Sequence, residues 1–327
     1  KAKSEQKYVF MDCYTSWCGP CKNMTQNVFP QKKAGDYFNP KFICVKYDME
    51  KGEGPELGKR FEVRAYPTFL VLDAEGRLLH KVIGSYSVDE IIERIEESFD
   101  EEKAYGSLKA KYESGNREQV FMVKYLKMLI RYYDPAMEAV AAELINTLSD
   151  KEKVEEAYWF VFSNPKLTPE GSANEAWLLK NHKRFNKTVG KEKVEQELDK
   201  RYTEKLLKVL SQKEKIWTEK QLAALGRAAL KLNTNEELQA YVTVAKTALK
   251  KGVEELISVC ETEFPKFKTK EIPYIQFCDR IVAEASPADR ARYIALGEKL
   301  YAQAKDEPAK NTFKFVLEYL KHHNKQN

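Results

Sequence analysis

The stretch Asp12-Cys13-Tyr14-Thr15-Ser16-Trp17-Cys18-Gly19-Pro20-Cys21-Lys22 determines the fold of the first third of this 327-residue chain. A nearly continuous apolar and aromatic run from Lys7 to Tyr14 leads into it, which is typical of a buried parallel strand. Two cysteines separated by Gly-Pro follow directly. The sequence therefore predicts a strand, a turn and a helix that begins at Cys18.

The two cysteines differ in their position on this helix. A sulfur at the first position lies beside backbone N–H groups that lack partners and at the positive end of the helix dipole, and both favour the thiolate. Cys18 is therefore predicted to be the nucleophile. Cys21 lies one turn further on, so we expect it to be more buried, less acidic and able to attack a mixed disulfide on Cys18. Pro20 suits the first turn, which needs no N–H from it.

The alternative interpretation of a C-x-x-C pair is half of a zinc site or two core cysteines. Four thiolate ligands would require a second closely spaced pair. The remaining cysteines and the histidines are instead isolated or lie near the end of the chain: Cys13, Cys44, Cys260, Cys278, His80, His182, His322 and His323. We therefore expect no metal site, and we expect Cys13 and Cys44 to be inert core residues in strands.

The segment from Trp17 to Lys22, with Tyr66-Pro67-Thr68 and the apolar run that follows it, resembles the active site of the thioredoxin family. The resemblance covers about the first hundred residues and implies a thioredoxin fold in which Pro67 is cis. It also implies that the redox-active group is the Cys18–Cys21 disulfide, without a bound cofactor. Trp17, Gly19, Pro20, Tyr66, Pro67 and Gly84 match positions that border the substrate groove.

Two further residues match supporting positions of the family. Asp12 falls where thioredoxins place a buried carboxylate beneath the resolving cysteine, and burial in the strand should raise its pKa and make it a proton acceptor for Cys21. The alternative is a surface aspartate at a strand end. Lys46 falls where the family has the lysine partner of that carboxylate, although a lysine near a strand end is also commonly solvated. Tyr66 departs from the family, which has a small aliphatic residue before the proline.

The rest of the first third supports this α/β interpretation. The order of elements is strand, helix, strand, helix, strand, strand, helix, with a break at Pro30 and a capping box at Ser87. The predicted segments are a strand from Phe42 to Asp48, a helix from Glu56 to Phe61, strands Thr68 to Leu72 and Leu78 to Ile83, and a helix from Val88 to Phe99.

After residue 105 the pattern becomes helical throughout. Apolar residues recur at spacings of three and four, between short polar or proline-containing breaks. The clearest segments are Val120 to Tyr133, Ala136 to Leu148, Val194 to Leu210, Gln221 to Leu232, Glu236 to Lys250, Ile275 to Ala285 and Ala288 to Ala304. Ala-Leu-Gly recurs at 224–226 and 295–297, close to two tetratricopeptide-sized units. We predict a thioredoxin-like domain at 1–105 and an all-helical domain of helix pairs, resembling tetratricopeptide repeats, at 106–327.

Composition excludes several classes of protein. The net charge of +5 is spread over 55 basic and 50 acidic residues without an arginine-rich aromatic stripe, which argues against nucleic acid as a partner. The sequence contains no run of about eighteen apolar residues, so it predicts no transmembrane helix in this stretch. The chain begins at Lys1 without a methionine, which favours the removal of an upstream segment, either by cleavage of a signal sequence or by trimming of the chain for expression.

The cellular compartment of the protein is also predicted from a resemblance to known proteins. The long segment from Asn27 to Pro40 is similar to that of the thioredoxin-like domains of bacterial envelope thiol-disulfide interchange proteins, which favours a periplasmic or other extracytoplasmic location over the cytoplasm. Cys260 and Cys278 lie on adjacent predicted helices, where either a disulfide or two buried thiols would fit.

The function predicted by this resemblance is thiol-disulfide exchange with protein substrates, in the direction of disulfide reduction and with an upstream reductant. The Gly-Pro dipeptide resembles that of reducing family members. Helical stacks commonly present a groove to proteins, so the helical domain is expected to bind a partner. The alternative is a non-catalytic helical scaffold in which the first domain only serves for docking.

Overall fold

The computed structural model describes residues 1–211, 218–232 and 235–324. The chain divides into two compact units, Lys1–Asn181 and His182–Asn327.

The first unit contains a four-stranded sheet: β1 (Tyr8–Tyr14), β2 (Phe42–Asp48), β3 (Thr68–Leu72) and β4 (Leu78–Ile83). The strand order is β2-β1-β3-β4. β1 runs parallel to β2 and antiparallel to β3, and β3 runs antiparallel to β4. The last three strands have the limits that the sequence predicts, and the predicted thioredoxin fold is confirmed.

Helices cover both faces of this sheet. Their bounds are α1 (Ala2–Glu5), α2 (Gly19–Asn23), α3 (Lys32–Lys41), α4 (Gly54–Arg60) and α5 (Val88–Glu96). α2 continues as a π-helical turn to Val28, and Pro30 lies in the turn that separates it from α3, as predicted. The capping box at the start of α5 is also present: Ser87 Oγ accepts from the N–H of Glu90, whose carboxylate accepts from the N–H of Ser87.

The side chains of β1 alternate between two cores. Phe10 packs with Phe38 and Phe69 beneath α3 and α5. Met11 and Cys13 belong to the core on the other face. Cys13 is fully buried, and burial raises the pKa of its thiol to about 12, so its prediction as inert core is confirmed.

The prediction that Cys44 is buried is wrong. β2 is the edge strand of the described sheet, and only Phe42, at its start, is buried. The later residues of β2 are half-buried or exposed, and Cys44 is among the exposed ones. The apolar composition of β2 therefore indicated a strand correctly but did not show that one side of it has no neighbour.

The first unit extends beyond residue 105, where the sequence predicts the boundary between the thioredoxin-like domain and the helical domain. That domain boundary stays a prediction. The first unit includes further helices with these bounds: α6 (Tyr105–Glu113), α7 (Gln119–Arg131), α8 (Met137–Thr147), α9 (Trp159–Phe162) and α10 (Ala173–Phe185), whose last four residues are counted with the second unit. A Cβ added at Gly106 would lie 2.6 Å from the carbonyl oxygen of Leu78, so α6 lies directly against the backbone of β4.

His80 of β4 joins the sheet to these helices. Its ring is fully buried, and its Nδ1 accepts from the N–H of Tyr105 at 3.1 Å. Its Nε2 lies 3.3 Å from Tyr132 Oη. Burial and the nearby Arg131 lower the pKa of His80 to about 4, so the ring is neutral at neutral pH and able to accept at Nδ1.

The second unit is helical throughout its described residues. Its helices are α11 (Lys191–Ser211), α12 (Glu219–Leu232), α13 (Glu236–Lys250), α14 (Val253–Glu263), α15 (Glu271–Gln276), α16 (Cys278–Glu284), α17 (Pro287–Gln303) and α18 (Glu307–Asn324). The helix predicted from Ile275 to Ala285 is interrupted at Phe277. Cys260 and Cys278 are free, buried thiols rather than a disulfide.

The two Ala-Leu-Gly segments of this unit mark close helix contacts. A Cβ at Gly226 would lie 2.9 Å from Val242 Cγ1, and one at Gly297 would lie 2.1 Å from Tyr274 Oη. Both glycines therefore permit a neighbouring helix to approach. The tetratricopeptide-like repeat itself stays a prediction. Over the residues that the structure describes, no helix is both long and apolar enough to cross a membrane.

The packing of α6 on β4 predicts opposite effects for two glycine substitutions. Gly106→Ala should lower the free energy of unfolding by roughly 1–3 kcal/mol, because its methyl group would overlap a backbone oxygen that cannot move aside. The matched control is Gly35→Ala in α3, where the new Cβ meets only Asn39 Nδ2 at 3.5 Å. That change should stabilise by roughly 0.5–1 kcal/mol. Urea unfolding checks both, and equal effects would contradict the close packing of α6.

Candidate functional site

Cys18 and Cys21 lie at the start of α2 and are joined by a disulfide. Cys18 has extended backbone angles and is the N-cap residue of the helix, and its Sγ accepts a hydrogen bond from the N–H of Cys21 at 3.1 Å. Pro20 lies in the first turn, where the helix needs no N–H from it. The sequence prediction that the helix starts at Cys18 is therefore correct, and the N-cap position stabilises negative charge on its sulfur.

The two cysteines are equally buried in this disulfide form, each with 3% of its surface exposed. The sequence predicts a more exposed Cys18, and that difference is not present in the oxidised pair. The residues around the pair are exposed instead: Gly19, Pro20 and, with 65% of its surface accessible, Trp17. The assignment of nucleophile and resolving cysteine stays a prediction.

Asp12 lies in the central strand β1 and is 5% exposed, so the alternative of a surface aspartate is wrong. Its neighbours across the sheet are Lys46 of β2 and Phe69 of β3. No donor in the described part of the chain bonds to its Oδ1. Burial raises the pKa of Asp12 to about 6, and the nearby charge of Lys46 opposes this shift only in part. The carboxyl group can therefore change protonation state close to neutral pH.

Lys46 acts on Asp12 through its charge rather than through an ion pair. Its Nζ lies 3.2 Å from Thr25 Oγ1 and 4.3 Å from the centre of the Tyr14 ring. The Lys46 side chain is exposed, as the alternative of a solvated lysine predicts. Lys46 is nevertheless paired in register with Asp12 across the sheet, and its charge opposes part of the rise in the pKa of Asp12. Both interpretations made from the sequence therefore hold in part.

The rim of the site is built by an aromatic pair and a glycine. Trp17 and Tyr66 meet edge to face with their ring centres 6.2 Å apart. The Tyr66–Pro67 peptide is cis, as predicted. Gly84 has a φ of +114° and donates its N–H to the carbonyl oxygen of Pro67 at 3.0 Å, so the loop and the end of β4 are joined at this point.

Sequence reasoning missed Glu50. Its Oε1 accepts from Trp17 Nε1 at 2.9 Å and holds the exposed indole in place. Glu50 and Asp48 also add to the burial effect that raises the pKa of Tyr66. The available signal was the position of Glu50 two residues after the end of β2, since the ends of adjacent parallel strands meet at one edge of a sheet.

The raised pKa of Asp12 predicts that Asp12→Asn stabilises the protein above neutral pH. Because the folded pKa of about 6 exceeds the ordinary 3.8, the wild-type fold is favoured when the carboxyl is protonated and loses that stability as the pH rises through 6. The variant should be more stable by roughly 2–3 kcal/mol at pH 8. The difference should vanish below pH 3.8. Urea unfolding at both pH values measures this, and a constant difference would contradict the shift.

Comparison with known proteins agrees with this site. The sequence model of the thioredoxin family matches residues 1–97. Over 75 residues the chain is 37% identical to thioredoxin-1 of Drosophila melanogaster, covering 23% of this chain and 65% of that protein. It is 27% identical over 90 residues to a protein disulfide-isomerase of Datisca glomerata, covering 28% of this chain and 18% of that protein.

A solved structure is also similar in sequence. The solution structure of a putative disulphide-isomerase from Bacteroides thetaiotaomicron is 40% identical, and the match covers 30% of this chain and 82% of that one with a TM-score of 0.29. The chain thus spans less than two thirds of the curated relatives named above, and these matches cover less than a third of it. With its Cys18–Cys21 pair and its match at residues 1–97, the N-terminal domain belongs to the thioredoxin superfamily.

Proposed function

We propose that this chain is a thiol-disulfide oxidoreductase that acts on proteins and whose redox centre is the Cys18–Cys21 pair. The observation that carries the proposal is a disulfide at the N-terminus of α2, surrounded by exposed Trp17, Gly19 and Pro20. An exposed rim of this kind leaves room for an extended substrate chain beside Pro67 and Gly84. The thioredoxin and disulfide-isomerase names of its relatives support the same class of reaction.

The reaction proceeds in two exchanges. The Cys18 thiolate attacks one sulfur of a substrate disulfide, forms a mixed disulfide and releases the other substrate sulfur as a thiolate, which takes up a proton. Asp12 then accepts the proton of Cys21, whose thiolate attacks Cys18 Sγ and releases the second substrate thiolate. The substrate gains two electrons, and the Cys18–Cys21 disulfide is left oxidised. An upstream dithiol reductant has to return two electrons before the next cycle.

We propose disulfide reduction as the physiological direction, because a Gly-Pro dipeptide separates the cysteines. The resemblance to reducing proteins predicts a potential near roughly −270 mV, against roughly −120 mV for a strong oxidant of the superfamily. Equilibration of the pair with defined glutathione mixtures measures this potential. A value above about −150 mV would exclude the reducing direction while leaving the class of reaction intact.

The assigned roles predict different behaviour for the two cysteine variants. Cys21→Ser should retain a reactive Cys18 and accumulate mixed disulfides with substrate proteins, whereas Cys18→Ser should accumulate none. Both should reduce insulin at least about a hundredfold more slowly than the wild type, because one exchange is missing. Non-reducing gels with mass spectrometry identify the trapped species, and a Cys44→Ser background removes the exposed free thiol of Cys44.

Three outcomes would contradict the proposal. If Cys18→Ser traps proteins, the roles are reversed. If iodoacetamide labels Cys21 before Cys18 in the reduced protein, the helix start does not activate Cys18. If the wild-type chain fails to reduce insulin with dithiothreitol as donor, and Cys18→Ser leaves partner binding unchanged, the helical scaffold is the better interpretation.

The setting of this activity is part of the proposal. We propose an extracytoplasmic location, which rests on the resemblance of residues 27–40 to envelope proteins. The helical part after residue 105 would then bind a partner protein and bring it to the redox domain. Fractionation of cells that express the natural gene tests the location directly, and recovery in the cytoplasm would contradict it.

A further inference from the structure

A cavity of about 320 Å³ opens between β1, β2 and the helices that follow Cys21. Its apolar wall includes Phe10, Phe29 and Phe38, and its polar end includes Asp12 and Lys46. Cys44 also lines it, and since Cys44 and Lys46 are exposed, the cavity is reached from solvent beside the edge strand β2. The apolar composition of β2 predicts that other residues cover this side of the strand, yet the cavity opens there.

The floor of the cavity is preformed. The rings of Phe10 and Phe38 lie 4.5 Å apart, and Phe29 meets Phe10 and Phe38 edge to face at 5.8 and 6.0 Å. Each ring thus restrains the other two, and the wall presents aromatic surface to whatever enters. A cavity of roughly 150 Å³ with such a lining holds benzene, so this one has room for a molecule of one or two rings.

The Asp12 carboxylate lacks a hydrogen-bond donor at the polar end, although Thr25, Asn39 and Lys46, which can donate, also line the cavity. Asp12 lines the cavity and is 5% exposed, and its Oδ1, an atom closed to solvent, accepts no hydrogen bond within the described chain. Lys46, the nearest cation, already contacts Thr25 Oγ1 and the face of Tyr14. The charges of Asp12 and Lys46 cancel, so neither an anion nor a cation is favoured. A buried carboxylate that lacks a donor gains from a neutral N–H or O–H group, which brings no further charge into the cavity.

We propose that this cavity is a binding site for a small uncharged aromatic molecule that carries one hydrogen-bond donor, with its ring against the three phenylalanines and its donor on the carboxylate of Asp12. Pockets for small molecules combine apolar walls with a few fixed polar groups in this way. The site lies on the face of β1 away from Met11 and Cys13, and it shares Asp12 with the proposed exchange reaction.

Indole is the probe, and 1-methylindole, which lacks the N–H, is its matched control. Calorimetry on the full chain at pH 8 should show indole binding about tenfold more tightly than 1-methylindole, since only indole bonds to the carboxylate. Asp12→Leu should reduce that preference to less than about twofold. Bound indole should also slow the alkylation of Cys44 severalfold, as measured by mass spectrometry. The control 1-methylindole at the same concentration should slow this alkylation less.

Gly35 provides a way to block the cavity without touching the floor. It lines the cavity in α3, and a Cβ there has only an ordinary contact, so Gly35→Leu places a side chain in the open space. We expect this variant to weaken indole binding at least about tenfold. Asp36→Leu, at the next and exposed position of the same helix, does not line the cavity and should leave binding unchanged within about twofold.

Three results would overturn the proposal: no indole binding at millimolar concentration, equal affinity for indole and 1-methylindole, or equal binding by Gly35→Leu and the wild type. The comparison of the two indoles uses the unchanged chain, so the test remains decisive even if Gly35→Leu does not fold. Insulin reduction measured without indole tests the redox proposal separately, and either one can fail while the other holds.

Discussion

The site depends on one constraint: the Cys18 sulfur has to lie at the N-terminus of α2 while Cys21 stays within bonding distance. The central strand β1 satisfies this constraint because it ends at Tyr14, four residues before Cys18. Pairing with β2 on one side and β3 on the other fixes the direction in which β1 delivers the chain. The same pairing brings the Tyr66–Pro67 loop, which precedes β3, to the end of β1 that carries the cysteines. One strand therefore positions both the redox pair and its rim.

A feature of the fold or of the site could be predicted from the sequence when the residues that determine it are neighbours in the chain. The cysteine pair, the helix start at Cys18, the capping box at Ser87 and the break at Pro30 are set by residues next to one another, and all were predictable. The exposure of Cys44 was not, because an apolar strand looks the same whether it has one neighbour or two. The bond from Trp17 to Glu50 joins residues 33 positions apart, and only their shared position after two adjacent parallel strands indicates it.

The junction of the sheet with the helices after residue 105 shows a similar limit. His80 is an isolated histidine in the sequence, yet in the structure it is a fully buried acceptor for the N–H of Tyr105. Because Nδ1 accepts that bond, the proton of the neutral ring lies on Nε2, toward Tyr132. Tyr105 in turn donates to Asp134 Oδ2 at 2.6 Å, so strand β4 and helices α6 and α7 share one buried polar network. A network of this kind specifies which helix face packs on β4 more narrowly than apolar contacts alone.

Asp12 shows how stability and chemistry oppose each other in this domain. A carboxylate buried without a hydrogen-bond donor costs free energy at neutral pH, and an asparagine or leucine at this position would avoid that cost. The same burial raises its pKa to about 6, which is the property that a proton acceptor for a thiol requires near pH 7. The open cavity beside it adds to the cost, because the space over Phe10 and Phe38 could have been filled by larger side chains at Ala34 or Gly35. A strand optimised for stability alone would have closed this region. It instead remains open next to a titratable carboxylate, Asp12, which the proposed exchange reaction uses as its proton acceptor.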